Sequence, residues 1–169
     1  IEERQGYLNA ISSAIAERGE EIAKLISSEV GTPINYSRMA MVGTPRVVAK
    51  SYAKILETFE WEEKVRNSLI VKEPIGVVGM ITPWNFPNAM ITRKLGPALA
   101  AGCCFVAKAP EDTPLSALAL CDLAEEAGIP KGVFSVLTTS DPVEIGKELC
   151  SNDKIRKLTF TGSTEVGKK

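Results

Sequence analysis

A chain of 169 residues with 44% hydrophobic side chains is long enough to enclose one core. Its 20 basic and 21 acidic residues leave a formal net charge of −1, without the basic excess of a nucleic-acid binder, and no apolar run reaches the ~20 residues needed to span a bilayer. There is no histidine, and Cys103, Cys104, Cys121 and Cys150 lack CxxC spacing, which leaves no basis for a zinc site or a Ser-His-Asp triad within these residues.

The first residues already follow a helical pattern. Leu8, Ile11, Ile15, Ile22, Leu25 and Ile26 recur at three-, four- and seven-residue steps, up to a stop at Gly31-Thr32-Pro33. A second helical stretch is expected from about Ile34 to Phe59, kinked at Gly43-Thr44-Pro45. The charged segment from Glu60 to Asn67 reads as a solvated connector. From Ser68 onward short apolar runs predict strands at Leu69–Val71, Val77–Ile81, Cys104–Ala107, Phe134–Leu137 and Lys157–Phe160. Helices are expected between them at about Asn88–Ala101, Thr113–Ala127 and Asp141–Cys150. Asp112-Thr113-Pro114 places a capping residue before a helix-starting proline, and Gly128 stands where a left-handed cap ends the same helix. The alternation predicts an α/β fold: a helical N-terminal part over residues 1–67, then a Rossmann-like βαβ unit with a parallel sheet over 68–169. The pattern begins inside one helix and ends at Lys168-Lys169 as another starts, which reads as a piece of a longer protein, any targeting segment of which would lie before Ile1.

Ligands of open parallel sheets bind at the carboxyl ends of the strands, and three polar clusters fall there. In "TPWNFP", Asn85 is fenced by Trp84, Phe86 and prolines, so its amide can be aimed at a developing oxyanion or can only serve its neighbours' backbone. In "KAPEDTP", Lys108 and Glu111 suit the hydroxyls of a ribose, the carboxylate repelling a 2′-phosphate; they equally suit an exposed lysine and a helix-starting glutamate. In "TGSTEVG", Gly162 and Ser163 open a helix whose amides attract a pyrophosphate, or simply an ordinary Ser-capped helix. Arg93 can face a carboxylate or a phosphate, or be solvated like Lys94. All four cysteines read as small core residues, since none has a base or a helix N-terminus nearby to lower its pKa. The residues thus offer an oxyanion donor and a dinucleotide cradle, without a nucleophile or general base.

"EPIGVVGMITPWNFP", "LGPALAAGCCFVAKAPEDTPLSAL" and "KLTFTGSTEVGK" together resemble the NAD(P)-dependent aldehyde dehydrogenase superfamily. "NAMITRK", "PEDTPLSALAL" and "AGIPKGVFSV" are most similar to its succinate-semialdehyde dehydrogenase group. The resemblance implies an N-terminal fragment of an enzyme that oxidises an aldehyde through a cysteine thiohemiacetal and thioester. It implies that Asn85 holds the oxyanion, and that Ile81, Thr82, Pro83, Trp84 and Arg93 contact cofactor. Lys108, Ala109, Pro110 and Glu111 would take the adenosine ribose; Gly162, Ser163, Thr164, Glu165, Val166 and Gly167 would meet the pyrophosphate. The family's nucleophilic cysteine and general-base glutamate fall beyond Lys169, so the isolated piece is expected to be inactive. NAD is the expected cofactor, with NADP the alternative. A small aldehyde is the expected partner, with neither nucleic acid nor membrane, in a homodimeric or homotetrameric parent of the cytoplasm or the mitochondrial matrix.

Overall fold

The computed structural model describes residues 1–169. Helix α1 (Glu2–Glu17) buries Leu8, Ile11 and Ile15, and α2 (Gly19–Val30) buries Ile22, Ala23 and Ile26. Each of these leucine and isoleucine side chains removed from water contributes on the order of 1.5–3 kcal/mol. The sequence pattern reads as one stretch, but the chain breaks at Arg18, where φ is −95° and ψ is 17°. Gly19 explains the position of the break: glycine is a poor helix former, and a Cβ there would lie 3.3 Å from Val42 Cγ1. Gly31, at φ +76°, ends α2 in the left-handed region that glycine tolerates.

The expected second stretch is also interrupted. A short α3 (Ile34–Tyr36) passes into a π-helical turn over Ser37–Met41, closed by Val42 N donating to Ser37 O at 3.0 Å. Helix α4 (Gly43–Ile55) then starts at the predicted Gly-Thr-Pro kink and buries Pro45, Ala49 and Ala53. The segment from Glu60 to Asn67, expected to be a solvated connector, departs further from expectation. Its residues Glu62–Val65 form strand β1, paired antiparallel with β2 (Ser68–Val71) through a turn in which Arg66 has φ +55°. Both strands are exposed throughout. Solvation was therefore anticipated and pairing was not, because the cross-strand partners carry no apolar alternation to announce them. Leu69–Val71 accordingly belongs to this hairpin and not to the parallel sheet.

The parallel sheet contains β3 (Val77–Ile81), β4 (Phe105–Lys108), β5 (Phe134–Leu137) and β6 (Ile155–Phe160), in the order β5-β4-β3-β6. Helix α5 (Pro87–Ala101) links β3 to β4, α6 (Pro114–Glu126) links β4 to β5, and α7 (Pro142–Ser151) links β5 to β6. The chain steps outward from β3 to β5 and then returns to the other side of β3, so the direction of progress reverses between β3 and β6. With right-handed crossovers this puts α5 and α6 on one face and α7 on the other. Gly79 marks the α7 face, since a Cβ there would meet Leu158, Ile155 and Leu149 between 3.1 and 3.4 Å. Helices α1 and α4 cover α5, which is sandwiched and buries Ile91, Leu95, Leu99 and most of its small residues. A single cluster of 28 buried residues runs from Leu8 through Phe105 to Phe134, joining the N-terminal helices to the sheet.

Candidate functional site

The three polar clusters leave the sheet at one level. Lys108 pairs in register with Ile81, and Ile81 pairs with Phe160, so the last residues of β4, β3 and β6 form a row. Adjacent strands lie about 4.8 Å apart, which sets the loops that follow side by side. Ladder bonds continue just past the row, with Thr161 N donating to Ile81 O at 3.0 Å and Ala109 N to Leu137 O at 2.9 Å. The crevice between β3 and β6, where strand order reverses, is the place open α/β sheets offer a ligand.

Beyond β3, Thr82 is buried while Trp84 and Asn85 are exposed. Pro87 occupies the first position of α5, where its missing N–H is not needed, and so fixes where the loop ends. Asn85 therefore stands at the surface of a loop held at both ends. Arg93 is exposed on α5. It lines a cavity of about 560 Å³ between α5 and β6, together with Met90, Lys94, Lys157, Thr159 and Thr161. Lys94, expected to be solvated, is instead partly buried and donates from Nζ to Thr159 Oγ1 at 2.8 Å. Desolvation pushes its pKa below the usual lysine value. The helical step Met90-Lys94-Pro97-Ala101 puts Lys94 on the cavity face, a signal present in the sequence but masked by its charged neighbour.

Beyond β4, Lys108 is buried and forms an ion pair with Glu111, which is exposed. A buried ammonium needs such a partner, so the pairing accounts for why a lysine is tolerated at the end of an otherwise apolar strand. Ala109 and Pro110 between them are buried. Thr113 takes the cap position of α6 as the sequence suggests, but its side chain makes no capping bond. Gly128 does end that helical segment in the left-handed region, at φ +87°.

Beyond β6, Ser163 caps α8 (Thr164–Gly167) by accepting from Val166 N at 3.2 Å. Both glycines of this turn face Phe160. A Cβ on Gly162 would come within 2.6 Å of Phe160 Cζ, and one on Gly167 within 3.0 Å of Cε1. The turn thus folds back closely on its own strand. Ser163, Thr164, Glu165 and Val166 are all exposed. Two buried hydroxyls near the strand ends, Thr82 Oγ1 and Thr113 Oγ1, have no hydrogen-bond partner, nor does Asn88 Oδ1 in the first turn of α5.

The cysteines divide. Cys103 is buried and Cys121 partly buried, as core residues should be, but Cys104 and Cys150 are exposed, contrary to that expectation. Burial pushes the Cys121 thiol above its usual pKa, away from nucleophilic use. No helix is long and apolar enough to cross a membrane.

This architecture has close relatives. The glutarate-semialdehyde dehydrogenase of Pseudomonas aeruginosa is 46% identical over 173 residues, covering 98% of this chain and 35% of the relative. The mitochondrial succinate-semialdehyde dehydrogenase of Homo sapiens is 42% identical over 175 residues, covering 98% of this chain and 32% of the relative. Among solved structures, aldehyde dehydrogenase C of Pseudomonas syringae, a mutant in complex with NAD+ and octanal, superposes with a TM-score of 0.94 at 38% identity. That match covers 98% of this chain and 34% of the other. The chain therefore spans about a third of the length of these relatives. The aldehyde dehydrogenase family matches over residues 1–169, and it is to this family that the chain belongs.

Proposed function

We propose that this chain supplies the oxyanion donor and the first half of the cofactor site of a semialdehyde dehydrogenase. Its substrate would be a short aldehyde carrying a carboxylate, succinate semialdehyde first, oxidised to the acid with NAD+. The observation that supports this most is the row Lys108–Ile81–Phe160, which brings three polar loops to one crevice at the point of strand reversal. The names of the relatives, semialdehyde dehydrogenases among them, support the substrate class.

A dinucleotide suits the residues present. The Lys108–Glu111 pair offers one donor and one acceptor to vicinal ribose hydroxyls, and Thr82 and Thr113 hold buried hydroxyls with no partner in the chain. Gly162 and Gly167 keep the turn at the end of β6 free of side chains. When bound, the nicotinamide accepts a hydride from the aldehyde carbon. The chain's own contribution is to position and to stabilise charge. Asn85 donates its amide N–H to the oxygen that becomes anionic when a thiolate from outside these residues adds to the carbonyl. Trp84 and Phe86 shield that oxygen from water. Lys108 and Glu111 hold the ribose, and the carboxylate repels a 2′-phosphate, which favours NAD over NADP. Arg93, exposed beside the cavity, is assigned to the carboxylate at the far end of the substrate in place of the cofactor contact that the family resemblance implies.

The test compares succinate semialdehyde with butanal, an uncharged aldehyde of similar length, in the full-length enzyme. Arg93→Gln should raise KM for the semialdehyde about tenfold or more and leave butanal within about twofold, the loss expected of one charge-assisted bond. Equal effects on both substrates would remove Arg93 from substrate selection. The 169-residue chain alone should form no NADH from succinate semialdehyde, consistent with thiols that are buried or lie on other elements than the "TPWNFP" loop.

A further inference from the structure

Helix α6 starts without help from its own cap residue. Its first position is Pro114, so the orphan amides to be satisfied are those of Leu115 and Ser116, which a cap side chain normally accepts. Thr113 does not do so, and its buried hydroxyl is left without a partner. Both amides go instead to Glu29, near the end of α2. Leu115 N, 86 residues downstream, donates to Glu29 Oε1 at 2.8 Å. Ser116 N and Ser116 Oγ donate to Oε2 at 2.7 and 2.5 Å.

Glu29 is poorly placed for its own helix. It stands in the last turn of α2, where the helix dipole disfavours an anion and where no basic residue compensates. At the start of α6 the same charge is favoured. The carboxylate therefore serves the second helix at the expense of the first. What it anchors is the loop from Ala109 to Asp112, which carries Glu111. That loop is fixed on one side by Ala109 N donating to Leu137 O and on the other by the turn from Thr113 N to Pro110 O at 3.3 Å. The second anchor is only as firm as the start of α6.

We infer that Glu29 is a positioning residue for the cofactor: it holds the start of α6 so that the Lys108–Glu111 pair meets the ribose of NAD in the right register. The inference rests on the reading of that pair given above. It assigns to the N-terminal helices a part in cofactor binding through the start of α6.

The experiment measures NAD+ affinity by calorimetry, and KM for NAD+ and kcat by steady-state kinetics, in the full-length enzyme and its Glu29→Gln, Glu111→Gln and double variants. Glutamine is close in size to glutamate but lacks its charge and replaces one acceptor oxygen by a donor. Glu29→Gln is expected to raise Kd and KM for NAD+ about tenfold with kcat within about twofold, through a loosened start of α6 that misplaces the Lys108–Glu111 pair. The double variant should bind little worse than Glu111→Gln alone, because both changes act through one contact. If Glu29→Gln lowers the melting temperature but leaves Kd within twofold while Glu111→Gln weakens binding, the ribose reading stands and the inference fails. If neither single change affects Kd, the ribose reading fails and takes the inference with it. Should Glu29→Gln not accumulate as folded protein, Ser116→Ala removes one of the three bonds and is judged by the same outcomes.

Discussion

In the N-terminal helices the charged side chains meet one another. Arg18 joins Glu21 at 2.7 Å and reaches Glu126 of α6 at 3.0 Å, Arg38 joins Glu20 at 2.7 Å, and Gln5 bridges α1 to Glu57 and Ala53 O. At the carboxyl edge of the sheet the arrangement differs. Asn85, Trp84 and Arg93 are exposed there, and the hydroxyl of Thr82 is buried with no partner. A region whose charged side chains pair with one another is built to persist, whereas one that presents donors outward is built to receive something. The contrast separates scaffold from site within one continuous core, and changes in the two regions should separate stability from chemistry.

The largest expected effect is at the edge. Asn85→Ala should reduce kcat of the full-length enzyme by about 10²–10³, the loss typical of one oxyanion donor, with KM nearly unchanged. Its melting temperature should not move, since the side chain is exposed. A kcat within threefold of the parent would end the oxyanion reading. The converse change is Gly96→Ala, in the buried part of α5 under α4. The added methyl would meet the Tyr52 ring, whose Cε2 would be only 3.0 Å away. Urea denaturation should show a loss of about 1–3 kcal/mol, the usual cost of overpacking, slightly offset by better helix propensity. Affinity for NAD+ should stay the same; a change there would mean that packing behind the sheet is not separable from the site.

Smaller effects sharpen the division. Glu111→Gln should weaken NAD+ and improve NADP+ relative to it by about tenfold, because the carboxylate both accepts from the ribose and repels a 2′-phosphate. An unchanged preference would assign discrimination to another residue. At the scaffold end, the Arg38 guanidinium lowers the Glu20 carboxyl pKa from its usual 4.5 to about 2. A depressed carboxylate contributes stability that is complete above pH 4.5 and lost as the pH falls through about 2. The pair is exposed, so the effect on unfolding will be slight. NMR titration of the Glu20 carboxyl should show the depressed value, and Arg38→Gln should return it to the ordinary range.

The placement of the candidate site's three polar clusters at strand ends was legible residue by residue. The motifs around Asn85, Lys108 and Gly162 were recognisable because turn chemistry, prolines and glycines mark strand ends locally. Gly128 and Ser163 cap as their types suggest. Thr113 does not, because capping depends on which acceptor reaches the amides first, and Glu29 arrives from another helix. Lys94 departs from the solvated position expected of it for a related reason: whether a lysine on an amphipathic helix is solvated depends on the strand that faces it.

By itself, then, the sequence determined the four strands of the parallel sheet and the helices between them, the stops at Gly31 and Gly128, and the three polar clusters at strand ends. These follow from side-chain periodicity and backbone preference within a few residues. The tertiary structure decided the pairing of Glu62–Val65 with Ser68–Val71, the reversal of strand order between β3 and β6, and the hold of Glu29 on α6. Each of these joins partners whose choice no local pattern encodes. Many strand orders and many acceptors satisfy the same local rules, and only the packing of one shared core selects among them.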